Sequence, residues 1–107
     1  MDKNSMKNLE FITNGVAISP ASPTIGDHMT ILYDGILSKN GASDVTMHLG
    51  YGNDWSNEQD IPMIKRSTCF EATIPALRKD FLKISFKDTN NNIDDNDGDG
   101  YTFTIQQ

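Results

Sequence analysis

Leu82-Lys83-Ile84-Ser85-Phe86-Lys87 alternates large apolar and polar side chains without a break. A period of two puts Leu82, Ile84 and Phe86 on one face of an extended chain and the lysines and serine on the other, the pattern of a strand with one dry face and one wet face. The same period recurs on both sides of this stretch. Tyr101, Phe103 and Ile105 alternate with Thr102 and Thr104, and Phe70, Ala72 and Ile74 with Glu71 and Thr73. Val45, Met47 and Leu49 share a face, as do Met29, Ile31 and Tyr33. Val16-Ala17-Ile18-Ser19 runs into Pro20 and Pro23, and Ile61-Pro62-Met63-Ile64 carries its own proline, so both read as edge strands, where a missing N–H breaks no ladder. No window sustains a helical period. About seven short strands, with turn signals roughly every ten residues, predict an all-β, immunoglobulin-like antiparallel sandwich.

The chain has 107 residues, enough for one packed core and too few for two. The strand pattern assigns residues 15–107 to the sandwich and leaves 1–14 as a polar N-terminal tail, since Ser5 to Phe11 could form only a marginal helical turn. Nine Lys plus Arg against fifteen Asp plus Glu give a net charge of −6, which repels nucleic acid and anionic lipid. The single cysteine, Cys69, excludes an intrachain disulfide and a cysteine-built zinc site. No apolar run is long enough for a bilayer. The opening MDKNSMKNLEFITNG has no apolar stretch behind its lysines, so the expected location is cytoplasmic.

Three features could carry chemistry. His48 alternates with Met47 and Leu49 and therefore points away from the core they form. Trp55 follows beyond a glycine-broken loop, with Tyr51 between them, and the three could make a shallow aromatic platform with a polar handle. The competing reading makes Trp55 a loop anchor and His48 an ordinary surface residue. The second feature is Asp95-Asn96-Asp97-Gly98-Asp99-Gly100, which opens like an EF-hand calcium loop. The match then fails, because Gln106 stands where the bidentate glutamate belongs and the flanks read as strands. Calcium on Asp95, Asp97 and Asp99 competes with a plain solvated acidic turn, and no other cofactor is expected. The third is catalysis, for which neither Cys69, His28 nor His48 lies in a nucleophile–base motif. A two-carboxylate glycosidase cleft would need more volume than two packed sheets of this size offer, so the expectation is a protein that is not an enzyme.

Several stretches together resemble the starch-binding carbohydrate-binding modules of families 25 and 53. These are Tyr33-Asp34-Gly35-Ile36-Leu37, Val45 through Trp55, Ile61-Pro62-Met63, and Phe86-Lys87-Asp88 leading into Asn91-Asn92-Ile93-Asp94-Asp95-Asn96. The resemblance implies an immunoglobulin-like sandwich that binds α-glucan without catalysis. It makes His48 the outward histidine and Trp55 the first stacking tryptophan, with Tyr51, Lys87, Asp88, Asn91, Asp94 and Asn96 as flanking polar contacts. Ile93 stands where the family places a second stacking tryptophan, which implies weak binding. It implies a glucan partner, with a carbohydrate-active enzyme or a second copy as further candidates. The alternative is a sandwich that has lost sugar binding and presents Ile93 and Trp55 to a protein.

Overall fold

Leu82, Ile84 and Phe86 are fully buried, and the residues that alternate with them line the outside of a sheet. The computed structural model describes residues 15–20, 22–96 and 98–107. The tail expected over 1–14 lies outside them. The described strands are β1 (Val16–Ser19), β2 (His28–Tyr33), β3 (Val45–Tyr51), β4 (Ser56–Pro62), β5 (Ile64–Lys65), β6 (Phe70–Pro75), β7 (Phe81–Asp88), β8 (Ile93–Asp94) and β9 (Tyr101–Thr104). One helical turn, α1 (Ile36–Lys39), follows β2. The first sheet runs β1-β2-β6-β5; the second runs β4-β3-β7, with β8 and β9 each pairing β7. Every ladder between these strands is antiparallel. Between the sheets lie Met29, Ile31, Tyr33, Phe70 and Ile74 from the first, and Val45, Met47, Leu49, Tyr51, Leu82, Ile84 and Phe86 from the second. This is the predicted sandwich, with each strand contributing alternate side chains to one core.

Two strands go beyond the prediction. The stretch Ile61–Ile64, expected as one edge strand, is divided between the sheets. Ile61 and Pro62 end β4 in the second, Ile64 and Lys65 form β5 in the first, and the Met63 N–H donates to the Val45 carbonyl at 3.0 Å in the crossing. β4 therefore begins earlier, at Ser56, through the polar run Ser56-Asn57-Glu58-Gln59-Asp60. Such a run has no alternation to read because, at a sheet edge, both its faces meet water. β8 lies just ahead of the acidic loop, in a run of asparagine and aspartate with no alternation to read, and its two residues pair Phe86 and Lys87.

β8 is held by a buried carboxylate. Asp94 is 8% exposed; the Tyr33 hydroxyl donates to its Oδ2 at 2.6 Å and the Tyr101 hydroxyl to its Oδ1 at 2.8 Å. The Leu37 N–H in turn donates to the Tyr33 oxygen at 3.1 Å, and the Tyr33 ring stacks on Phe86 with centroids 4.0 Å apart. One side chain thus ties α1, β2, β8 and β9 across the sandwich. Burial, reinforced by the hydrogen bond to Asp94, holds the Tyr33 phenol well above its ordinary pKa, so it remains a donor.

Candidate functional site

Thr46, His48 and Gly50 point outward from β3, between β4 and β7. His48 sits opposite Asp60 on one side and Ser85 on the other; Thr46 sits opposite Lys87, which in turn faces Ile93. The outer surface of the second sheet therefore carries His48, Ser85, Lys87 and Ile93 in adjoining rows. Ile93 is 61% exposed.

Trp55 closes the loop between β3 and β4 and folds back over this surface. Its backbone has φ of 56°, a left-handed conformation that favours glycine or asparagine over an aromatic residue. The indole reaches the sheet because two of the positions beneath it lack side chains. A Cβ at Gly50 would stand 2.9 Å from both Cα and Cε3 of Trp55, and one at Gly100 would meet Cζ2 at 3.6 Å. Gly50→Ala is accordingly expected to displace both ring and loop and to lower stability by about 1–3 kcal/mol. Trp55 is the sole tryptophan, so a denaturant melt followed by its fluorescence reads this directly. An unchanged melt and emission spectrum would show that the indole lies elsewhere.

The imidazole of His48 stacks against that indole, with centroids 5.4 Å apart and planes inclined at 26°. Both of its nitrogens are engaged: Nδ1 with Asp60 Oδ1 at 2.7 Å and Nε2 with Glu58 Oε2 at 2.9 Å. Two carboxylates can be met by two N–H donors only if the ring is an imidazolium. Partial burial opposes the charged form, but the hydrogen bonds from Asp60 and then Glu58 outweigh it and raise the His48 pKa above its usual value. A cleft of about 520 Å³ opens over this pair, bounded by His48, Asp54, Trp55, Ser85, Ile93 and Gly100. A smaller hollow of about 260 Å³ adjoins it, with Lys87, Asp60 and Ile93 on its walls.

The other expected site residues are placed differently. Tyr51 is 1% exposed and faces the core, its oxygen accepting the Leu77 N–H at 3.4 Å, so it is not part of an exposed platform. Its position explains this: it continues the inward series Val45, Met47, Leu49. Asp94 also points inward, to the tyrosines, and is no surface contact. Asp88 is 9% exposed and organises the β7–β8 turn. Its Oδ1 accepts the N–H groups of Asn90 and Asn92, both at 2.9 Å, and its Oδ2 the Asn92 amide at 3.0 Å. Those bonds, the Asn92 side chain's first, hold its carboxyl below the ordinary range. Asn91 sits exposed in the same turn at φ of 68°, its N–H donating to the Asp88 carbonyl at 3.2 Å. Asn96, at φ of 55°, donates its side-chain amide to the Gly100 carbonyl at 3.2 Å and so shapes the loop beside the cleft.

In the acidic loop, Asp95 Oδ1 accepts the Gly98 N–H at 3.0 Å and the Asp99 N–H donates to the Asn96 carbonyl at 3.2 Å. Asp97 lies outside the described residues, and among those described no three His, Cys, Asp or Glu side chains converge as a metal site would require. Glu58 and Asp60, absent from the sequence reading, are the main additions. Their signal was faint: two acids spaced by two in a polar run, whose partner across the ladder is fixed only by register.

A family model described as a starch/carbohydrate-binding module (family 53) matches residues 29–106, a span containing this entire outer face. A crystal structure of a bromine derivative of the module BhCBM56 aligns with a TM-score of 0.52 over 90% of this chain and 96% of that one. It is 20% identical, a likeness that shows the sandwich fold alone. No curated protein matches the chain.

Proposed function

The chain belongs to the starch/carbohydrate-binding modules of family 53, and on that premise we propose that it binds α-glucan through the outer face of its second sheet, without catalysis. The observation that carries this reading is the Trp55 indole, held over Gly50 and Gly100 in a backbone conformation that disfavours it. A turn that needs a left-handed residue is served more cheaply by glycine or asparagine, and strain of this kind persists where a side chain is required for another purpose. A half-buried indole beside an open polar cleft suits the apolar face of a pyranose. The rim offers acceptors and donors for hydroxyl groups. Glu58 and Asp60 each turn one oxygen to His48 and leave the second without a partner among the described residues, and Ser85 and Lys87 line the same surface.

Binding of this kind is weak. One aromatic platform contacts one sugar ring well, and each hydroxyl exchanges water for a protein partner that only partly replaces it. Isothermal calorimetry with maltotriose and maltoheptaose, with affinity electrophoresis in amylose and glycogen, tests the reading. Absence of any heat or retardation at millimolar glucose units sinks it. Ile93 stands exposed on the wall of the same cleft that Trp55 bounds, where a second indole would complete the platform, so Ile93→Trp should add about 1–2 kcal/mol, a gain of roughly five- to thirtyfold. If the face instead docks a protein through its isoleucine, Ile93→Trp will bring no gain in glucan affinity.

A further inference from the structure

His48 lies against the indole with both nitrogens already held by carboxylates. We propose that Glu58 and Asp60 are positioning residues that fix His48 as a cationic backing for Trp55, so that the sugar platform is assembled at low pH and loosened at high pH. This rests on the glucan-binding reading of the same face.

The argument begins with donor count. A neutral imidazole has one N–H and one lone pair, and here that lone pair would point at a carboxylate oxygen less than 3 Å away. Two acceptors facing each other repel, so loss of the proton must release either Asp60 or Glu58 and free the ring to turn. The indole then loses a flat, charged neighbour whose attraction to its π face depends on that charge. The same geometry removes His48 as a partner for a sugar hydroxyl, because neither nitrogen is available while the clamp holds.

The surroundings favour the charged form. Besides Glu58 and Asp60 on β4, the charged groups on neighbouring elements are Asp54 in the β3–β4 loop and Asp95 in the acidic loop, which favour the cation, and Lys83 and Lys87 on β7, which oppose it. The two carboxylates bonded to the ring decide the balance. Asp54 uses Oδ1 to accept the Ser56 hydroxyl at 2.8 Å. Thr46 and Gly50, which flank His48 on its own strand face, carry no charge. Because the folded value is raised above 6.5, the contribution of the clamp is complete below that pH and is lost as pH rises through the raised value.

The test uses Trp55, the only tryptophan, as its own reporter. An adjacent imidazolium quenches indole emission, so wild-type fluorescence should rise with pH along one titration whose midpoint lies above 6.5, and His48→Gln should abolish that transition. The other histidine, His28, lies on the first sheet and should not contribute. Glu58→Gln and Asp60→Asn should each lower the midpoint, and the pair together should lower it further, whereas Glu58→Asp should restore part of the shift. Maltoheptaose affinity should fall roughly two- to tenfold across the same midpoint in the wild type. A midpoint unmoved in the double variant overturns the clamp. A midpoint that moves while affinity stays flat with pH overturns its role in positioning but leaves glucan binding standing. Failure to bind glucan at every pH defeats the functional reading and with it the positioning role, while the fluorescence titration still decides whether the clamp exists.

Discussion

Asp94→Ala should be the most damaging single substitution outside the apolar core, lowering stability by about 3–4 kcal/mol. The carboxylate accepts from two buried tyrosine hydroxyls whose oxygens lie 2.6 and 2.8 Å away. Alanine would leave the fully buried Tyr33 hydroxyl without its acceptor, where water cannot replace it, and would also take the 2.8 Å bond from Tyr101. Every buried side-chain N or O among the described residues has a partner, and this variant would break that completeness. For a domain of this size the loss is a large part of the total stability, and a calorimetric melting midpoint should fall by about 15 °C. Asp94→Asn should cost about half as much, because its carbonyl can still accept one hydroxyl and its amide can donate to the other oxygen. Where that variant remains folded it should bind glucan normally, since position 94 faces inward. A Tm within about 3 °C of wild type for the alanine variant would show that the tyrosines find other acceptors.

Trp55→Ala should abolish measurable glucan binding. Removal of the indole takes away the contact surface at the centre of the site, an effect of about 2–3 kcal/mol, or roughly thirtyfold or more in affinity. A weak binder weakened that far shows no heat in calorimetry. Trp55→Gly is the informative companion. It removes the same ring and also relieves the left-handed backbone, which offsets part of the lost packing on Gly50 and Gly100. Its melting temperature should therefore lie above that of the alanine variant, with binding equally absent. Retained affinity in both would mean that the sugar sits elsewhere on the molecule.

The strands with one dry face were readable because burial writes itself into the chain as a period of two. Leu82 to Lys87 and Phe70 to Ile74 are buried as that period requires. β4 and β8 escaped because neither has such a face to write: one is a wet edge, the other two residues in a loop of turn formers. The site divides in the same way. The outward position of His48 follows from parity, and Trp55 stands out as an aromatic residue beyond a glycine break. Parity would also have put Tyr51 inside, had the glycines beside it not been read as the end of the strand. Asp94 could not have been recognised, since its partners are 61 and 7 residues distant. A carboxylate amid asparagines reads as solvated until the tyrosines are brought to it. The engagement of His48 by Glu58 and Asp60 likewise appears only when β4 is laid in register beside β3.

β4 has one more consequence. A border strand with unpaired amides and carbonyls is a template on which another polypeptide can add itself, and sheets that end in apolar residues recruit copies into fibrils. Here that border is lined by Asn57, Glu58, Gln59 and Asp60, all exposed. Two such margins approaching one another would bring like charges together and offer no greasy surface to hide. The acids beside the histidine thus also discourage this protein from polymerising along its own sheet.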